Sequence, residues 1–322
     1  MKYQLTQVLL SSLMTVQVCF GQLAFPDSIC TIKTEPSNRL KGTRVFLTIP
    51  TSYKIRTRAT SYLEFVKDSV TGLQVIEYIN HNFYQVKHEF STESFDLKNR
   101  DTWISKDVKV DSFDGIYYTG PFKTADTRAT FLVFGDSSFA VAISGGFLKT
   151  DKVAEIEINT ILKTTAFDKF LIVDPLEAAN FRFDKSITGF KYVPSIGTNE
   201  LTYTADGIIA SLDDERHKSS FEVASYKSID FENAKTIIKS KMEELTEFSN
   251  SIVRNSAHRN ININGNTAYE MTMDEKGQFI AETKFYIVVI QKEQTAVLFW
   301  GVDRDGGKWI EKFKATAQSI IF

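Results

Sequence analysis

Apolar side chains follow two spacings along this chain, and the same order of spacings occurs twice. Val45-Phe46-Leu47-Thr48-Ile49-Pro50 alternates and then stops at proline, the pattern of a strand that proline ends. Gly189-Phe190-Lys191-Tyr192-Val193-Pro194 repeats it, aligning Phe46 with Phe190 and Ile49-Pro50 with Val193-Pro194. Leu73, Val75 and Tyr78 then match Phe221, Val223 and Tyr226 at identical spacing, and alternation sets Leu73 and Val75 on one face of a sheet. The period changes at Phe83 and Phe231. Phe231, Ala234, Ile238, Met242 and Leu245 fall at helical spacing behind Asp230, a good N-cap residue, and Phe83, Val86 and Phe90 form a shorter stripe behind Asn82.

Each half continues through an Asx-Gly pair and a tyrosine, Asp114-Gly115 with Tyr118 and Asn264-Gly265 with Tyr269, which predicts a turn in both. Hairpins follow. Ala129 to Phe134 and Phe139 to Ile143 flank Gly135-Asp136-Ser137-Ser138, and Lys284 to Ile290 and Thr295 to Trp300 flank Gln291 to Gln294. The run Phe285-Tyr286-Ile287-Val288-Val289-Ile290 predicts a central strand covered on both faces. An Ala-Val-x-x-x-Gly segment recurs at Ala140, Val141, Gly145 and at Ala296, Val297, Gly301. A closing helix carries Trp309, Phe313, Ala317 and either Ile320 or Ile321 on one side, and Val153 to Phe167 is its counterpart by position. Phe170-Leu171-Ile172-Val173-Asp174-Pro175 is too apolar for a flexible linker and is expected to fill a groove between domains.

Self-similarity of this kind is the mark of a duplicated unit. The expected fold is α+β: two tandem α/β/α sandwich domains, each a mostly antiparallel sheet flanked by helices, at residues 42–174 and 181–322, after an extended leader at 22–41. A chain of 322 residues accommodates two such cores. With 38 basic and 40 acidic residues it has no long-range field that draws it onto nucleic acid or an anionic membrane. Met1 to Gly21, with Lys2 and the apolar run Val8 to Phe20, reads as a secretory signal peptide cleaved after Gly21, too short and too polar for a membrane span. Export to a periplasmic or extracellular space is the expectation. Cys19 leaves with that signal, or is acylated in an alternative lipid-anchored form. Cys30 then stays alone, so packing rather than a disulfide holds the mature chain.

The order of elements resembles the α/β/α sandwich shared by the PsbP family of photosynthetic extrinsic subunits and the Mog family of Ran-binding proteins. Phe46-Leu47-Thr48-Ile49-Pro50 with Tyr53 is the motif that carries it most clearly; the second half departs, with Gly197 near the place of that aromatic residue. The resemblance spans Gly42 to Lys169 and Phe181 to Phe322 and implies the fold alone, because such a fold hosts sites rather than dictating them.

Catalytic motifs are missing from the sequence: it has no G-x-S-x-G elbow, H-E-x-x-H, phosphate loop or paired-cysteine knuckle. His81 and His88 could share a helix face, though two turns apart. Asp213, Asp214 and His217 offer oxygen and nitrogen ligands for a hard cation, against the plainer reading of a solvated hairpin tip between strands at Ile208 to Leu212 and Phe221 to Val223. Asp303-Arg304-Asp305-Gly306-Gly307 resembles part of a calcium loop but lacks its closing glutamate, and reads as a turn and N-cap for the last helix. Phe113, Tyr117, Tyr118 and Phe122 crowd one turn, and alternation cannot hide all four in one core. They form an exposed recognition patch or are buried against the second domain.

Together these features lead to an exported, non-enzymatic binding or assembly accessory protein with no cofactor and a protein or small-molecule partner in the cell envelope. A metal-dependent or hydrolytic enzyme with an inter-domain site, or a structural envelope component, is the alternative.

Overall fold

The structure, a computed structural model, describes residues 25–30, 39–59, 62–92, 103–122, 124–194, 200–208, 218–227, 229–249, 252–276 and 283–322. In chain order the first half holds β1 (Ser28–Ile29), β2 (Val45–Phe46), β3 (Lys54–Ala59), β4 (Tyr62–Val66), β5 (Gly72–Ile79), helix α1 (Phe83–Thr92), β6 (Ile104–Val110), β7 (Phe113–Phe122), β8 (Thr124–Gly135), β9 (Phe139–Leu148), helix α2 (Lys152–Leu162) and β10 (Ala166–Phe167). The second holds β11 (Lys191–Val193), β12 (Glu200–Thr204), β13 (Ser220–Lys227), helix α3 (Phe231–Ser249), β14 (Ile252–Ile263), β15 (Asn266–Lys276), β16 (Thr283–Lys292), β17 (Thr295–Asp303) and helix α4 (Ile310–Gln318). It is a sheet-rich protein. One sheet runs β3-β4-β5-β9-β8-β7-β6 with β1 added parallel to β6, and the other runs β11-β12-β13-β17-β16-β15-β14. Apart from β1 the two orders are the same and every neighbour is antiparallel.

The register agrees as well as the order. Leu73, Val75 and Tyr78 face Gly145, Ile143 and Ala140, while Phe221, Val223 and Tyr226 face Gly301, Phe299 and Ala296. Period-two alternation then divides each sheet into two apolar faces, and each face meets a helix. In the first half, Val75, Ile143 and Leu132 meet Ala154, Ile158 and Ile161 of α2, and Val133, Ala140 and Ala142 meet Phe83 and Val86 of α1. In the second, Val223, Phe299 and Val288 meet Phe313 and Ala317 of α4, and Val289, Leu298 and Trp300 meet Ala234 and Ile238 of α3. The matched glycines explain how the closing helices come so near. A Cβ on Gly145 would lie 2.4 Å from Ile158 of α2, and one on Gly301 would lie 2.4 Å from Phe313 of α4.

Helix starts follow ordinary capping. The carboxylate of Asp151 accepts the Ala154 N–H, that of Asp230 accepts the Asn233 N–H, and the Asn82 side chain accepts the Tyr84 N–H. Buried Asp303 accepts the N–H groups of Asp305 and Trp309 ahead of α4, so the expected turn forms there, but the expected N-cap does not: Trp309 stands at that position and, among the described residues, no side chain caps the helix. The buried stripe of α4 is Phe313 and Ala317, continued just past its end by buried Ile320, with Ile321 exposed.

Several expectations are corrected. Asn264-Gly265 makes the β14–β15 turn with both φ positive, but Asp114-Gly115 lies inside β7; the turn there is Asp111-Ser112, with Asp111 at φ 51°. Gly115 is needed for close approach instead, since a Cβ would sit 3.1 Å from Phe134 and 3.2 Å from Val108. Phe46 and Phe190 are not counterparts: Val45–Phe46 pairs with Ala166–Phe167 beyond α2, and in the second half Arg182 makes the equivalent bridge to Ile321. Helix α2 ends at Leu162 rather than Phe167. Phe170 and Ile172 are 87% and 93% exposed, so they fill no groove. The connection is held a little later, where Leu176 enters the second core and Glu177 accepts hydrogen bonds from Arg39 and the Gly42 N–H. The leader also does more than lead, because β1 joins the first sheet and Phe25 and Ile29 enter its core. Ile208 donates its N–H to Thr204 and Asp206, and the rest of the strand expected at Ile208 to Leu212 lies outside the described residues. Met1 to Gly21 lies outside the described residues.

Candidate functional site

Alternation places Glu64 of β4, Gln74 of β5, Ser144 of β9, Phe131 of β8 and Tyr118 of β7 in one row across the α1 face, each directly opposite the next. The same row across the second sheet reads Thr202, Glu222, Trp300, Ile287, Met271. The two rows differ most at their centre, where a serine stands in one and a tryptophan in the other. There Trp300 packs with Ala234 and Ile238 of the long helix α3, 19 residues against 10 in α1, and among the described residues the void beside Glu222, Ala224 and Leu298 is about 10 Å³, room for at most one water. Over Ser144 the first sheet instead keeps a half-open cleft of about 420 Å³, within the range of small-molecule sites.

Its floor is Gln74, Ser144, Gly146, Ala129 and Phe131. Gly146 faces Gly72 across the β5–β9 ladder, and a Cβ on Gly146 would meet nothing nearer than the Val70 carbonyl at 3.9 Å, so the floor is low there. One wall is the β4–β5 turn, held by Asp68, whose carboxylate accepts the N–H groups of Val70 at 2.9 Å and Thr71 at 2.7 Å. Those backbone bonds, that from Thr71 foremost, hold the Asp68 carboxyl below its usual range. The opposite wall is the end of the β7–β8 hairpin, where the Thr127 hydroxyl donates to the Phe122 carbonyl and the Phe122 ring meets Phe131 edge-on, centroids 6.2 Å apart. At the rim the Arg56 guanidinium grips the Glu64 carboxylate in a fork, Nε to Oε2 at 2.7 Å and Nη2 to Oε1, and Gln74 Nε2 reaches Oε1 at 3.5 Å. Glu64 is buried; the Arg56 side chain is 62% exposed.

The residues singled out in the sequence lie elsewhere or play other parts. Tyr117 is buried on the α2 face, stacked on Phe25 with centroids 4.0 Å apart and donating to Asn159 Oδ1 at 2.8 Å, and Phe113 packs against Phe139 and Phe167 on that side. Tyr118 and Phe122 belong to the α1 face. The four rings therefore form no exposed patch and no seal against the second half. They divide between the two faces of one sheet, as alternation requires, and Phe122 alone of the four lines the cleft. His81 precedes α1, its Nδ1 bonded to the Ile79 carbonyl at 2.8 Å, so it shares no helix with His88. Asp213, Asp214 and His217 lie outside the described residues, and among the described residues no three metal-ligating side chains converge. Cys30 is exposed at the end of β1.

One member of the cleft, Ser144, was within reach of a comparison of the two halves of the sequence. Aligning Ala140 to Gly145 with Ala296 to Gly301 sets Ser144 against Trp300, an exchange of a large apolar ring for a hydroxymethyl group on a sheet face.

The arrangement defines a sheet-rich protein with a half-open cleft over one face of its first sheet. No family model matches the chain, and no curated protein matches it. Among solved structures it is similar to the solution structure of cyanobacterial PsbP (CyanoP) from Synechocystis sp. PCC 6803, at 11% identity and TM-score 0.31, covering 48% of this chain and 99% of that one. It is also similar to the apo structure of the immunity protein TplEi of the T6SS from Pseudomonas aeruginosa, at 10% identity and TM-score 0.34, covering 84% and 97%. A Bacteroides thetaiotaomicron VPI-5482 structure matches at 14% identity and TM-score 0.31 over 41% of this chain and 47% of that chain. The resemblance is at the level of fold and weak, and the Mog part of the expected likeness finds no support among these.

Proposed function

We propose that this is an exported, non-enzymatic binding or assembly accessory protein, built from two tandem copies of one α/β/α unit, that holds a small, partly apolar ligand in the cleft over Ser144. The observation that carries the reading is the contrast between equivalent rows: Gln74, Ser144 and Phe131 line a half-open cleft, where Trp300 takes the place of Ser144 and leaves about 10 Å³ beside Glu222 among the described residues. Phe131, Phe122, Val66 and Val70 supply apolar surface, and Gln74, Ser144 and the Arg56–Glu64 pair supply a few polar groups at one end, the usual composition of a ligand site. Duplication is supported by the shared strand order and register and by the paired glycines Gly145 and Gly301.

The test is calorimetric titration of the full chain with 1-octanol, beside the variant Ser144→Trp, which copies the residue of the second sheet. Saturable binding that the variant loses supports the reading. Absence of binding, or equal binding by the variant, overturns it. Export is checked separately by the mass of protein recovered from outside the cytoplasm, expected to begin at Gln22; retention of the full chain inside the cell contradicts it.

A further inference from the structure

We propose that the cleft selects a cationic amphiphile, a molecule with an ammonium group on an apolar chain, whose charge takes over the Glu64 carboxylate from Arg56. This rests on the reading of the cleft as a ligand site. Among the described residues three charged side chains line it, Glu64 and Asp68 against Arg56, two carboxylates to one guanidinium. The two members of the rim pair are not equivalent. Glu64 is fixed, buried in the row beside Gln74, whereas Arg56 arrives from the outer strand β3 with most of its side chain in water. A buried carboxylate needs a cation in place, but the identity of that cation is open, and an exposed guanidinium is the member that can swing away at little loss. An arriving ammonium meets the acid with its charge, and Gln74, the next residue of the row, stands beside the acid to accept one of its remaining N–H groups.

The alternatives fit less well. An anion must bind Arg56, whose Nε and Nη2 are already engaged by Glu64, and must do so beside two carboxylates. A neutral amphiphile leaves the rim pair untouched and gains only the apolar surface. The apolar chain of the ligand lies along Phe131, Phe122, Val66 and Val70 in either case.

The experiment titrates the full chain, by calorimetry at low salt, with n-octylammonium, 1-octanol and octanoate. Octylammonium is expected to bind roughly tenfold or more tightly than octanol, a difference of about 1.4 kcal/mol, with octanoate weakest, and the preference shrinks as salt rises. Glu64→Gln brings octylammonium to the level of octanol in the same variant, and a circular dichroism spectrum matching that of the parent chain shows that the fold is intact. Arg56→Met removes the competing cation and strengthens octylammonium several-fold. Octylammonium no better than octanol, a preference for octanoate, or a preference for octylammonium that survives Glu64→Gln overturns the inference. Failure of octanol and octylammonium alike overturns the cleft reading itself, and octanol binding without preference removes this inference alone.

Discussion

Gly145 and Gly146 are neighbours on β9 that point to opposite faces of the first sheet, and alanine at each is predicted to have opposite effects. Neither has a positive φ, so alanine is allowed at both by the backbone. At Gly145 the new methyl would lie 2.4 Å from Ile158 Cγ2, 3.1 Å from Cδ1 and 3.3 Å from Cγ1. The favourable carbon–carbon separation is roughly 3.5–4.0 Å, so strand and helix must part by about 1 Å or more. Ile158 is fully buried beneath β9, and overpacking of this sort costs about 1–3 kcal/mol. At Gly146 the methyl enters the cleft with nothing closer than 3.9 Å, so the remaining effect is the loss of unfolded-state freedom, a gain of about 0.4–1 kcal/mol. Urea unfolding of the full chain, followed by circular dichroism, is expected to give a lower midpoint for Gly145→Ala and an equal or higher one for Gly146→Ala. A cycle with Ile158→Ala isolates the clash: the alanine at 145 is expected to be tolerated once the isoleucine is gone, with a coupling of about 1–2 kcal/mol. Equal losses at the two glycines, or no coupling to Ile158, would refute the packing described here.

Three further outcomes follow from other places in the fold. Trp300→Ala removes a nearly buried ring that meets Phe285 edge-on, and is expected to lower stability by about 3–5 kcal/mol in denaturant titration; a loss below about 1 kcal/mol would mean the second face is not packed around it. Arg44→Ala strips Glu77, which is 1% exposed, of the guanidinium that bonds it at 2.5 Å, leaving the Arg44 N–H as a weaker partner. The expected loss is about 3–5 kcal/mol, whereas replacing both by Met and Leu loses far less; equal losses for the single and double variants would contradict that origin. Asp206 is held down to about 2 by the Lys218 ammonium bonded to it and by the Ile208 N–H. Its folded value lies below the ordinary 3.8, so its contribution to stability is present above pH 3.8 and is lost as pH falls through about 2. Carboxyl titration by NMR is expected to find that midpoint, and one near 3.8 would show the pair is not formed.

Much of the architecture was legible because the sheet alternates. Leu73, Val75 and Tyr78 could be matched to Phe221, Val223 and Tyr226 since a one-residue slip turns every side chain to the wrong face, and the ladders keep that register. Helices α1 and α3 were legible from their stripes and caps. Asp114-Gly115 misled because an Asx-Gly pair can serve a turn or a close approach, and the packing of Gly115 against Phe134 and Val108 is set by strands far off in sequence. Phe46 and Phe190 misled because a strand of two residues carries too little pattern to say what it pairs with. Phe170 and Ile172 were read as buried from hydrophobicity alone, which is a one-way rule. Beyond the Ser144–Trp300 exchange the cleft could not be assembled in advance: Glu64 at its rim and Gln74, Ser144 and Phe131 in its floor come from four strands, and only the strand order makes them a row.

The account stands or falls on the asymmetry between the two sheets. Amide chemical shifts of the full chain, recorded as 1-octanol is added, test it most directly. Saturable shifts at Gln74, Phe131, Ser144 and Gly146, with Glu222, Ile287 and Trp300 unmoved, are the predicted result. Shifts centred on the second sheet, or none on either, would contradict it.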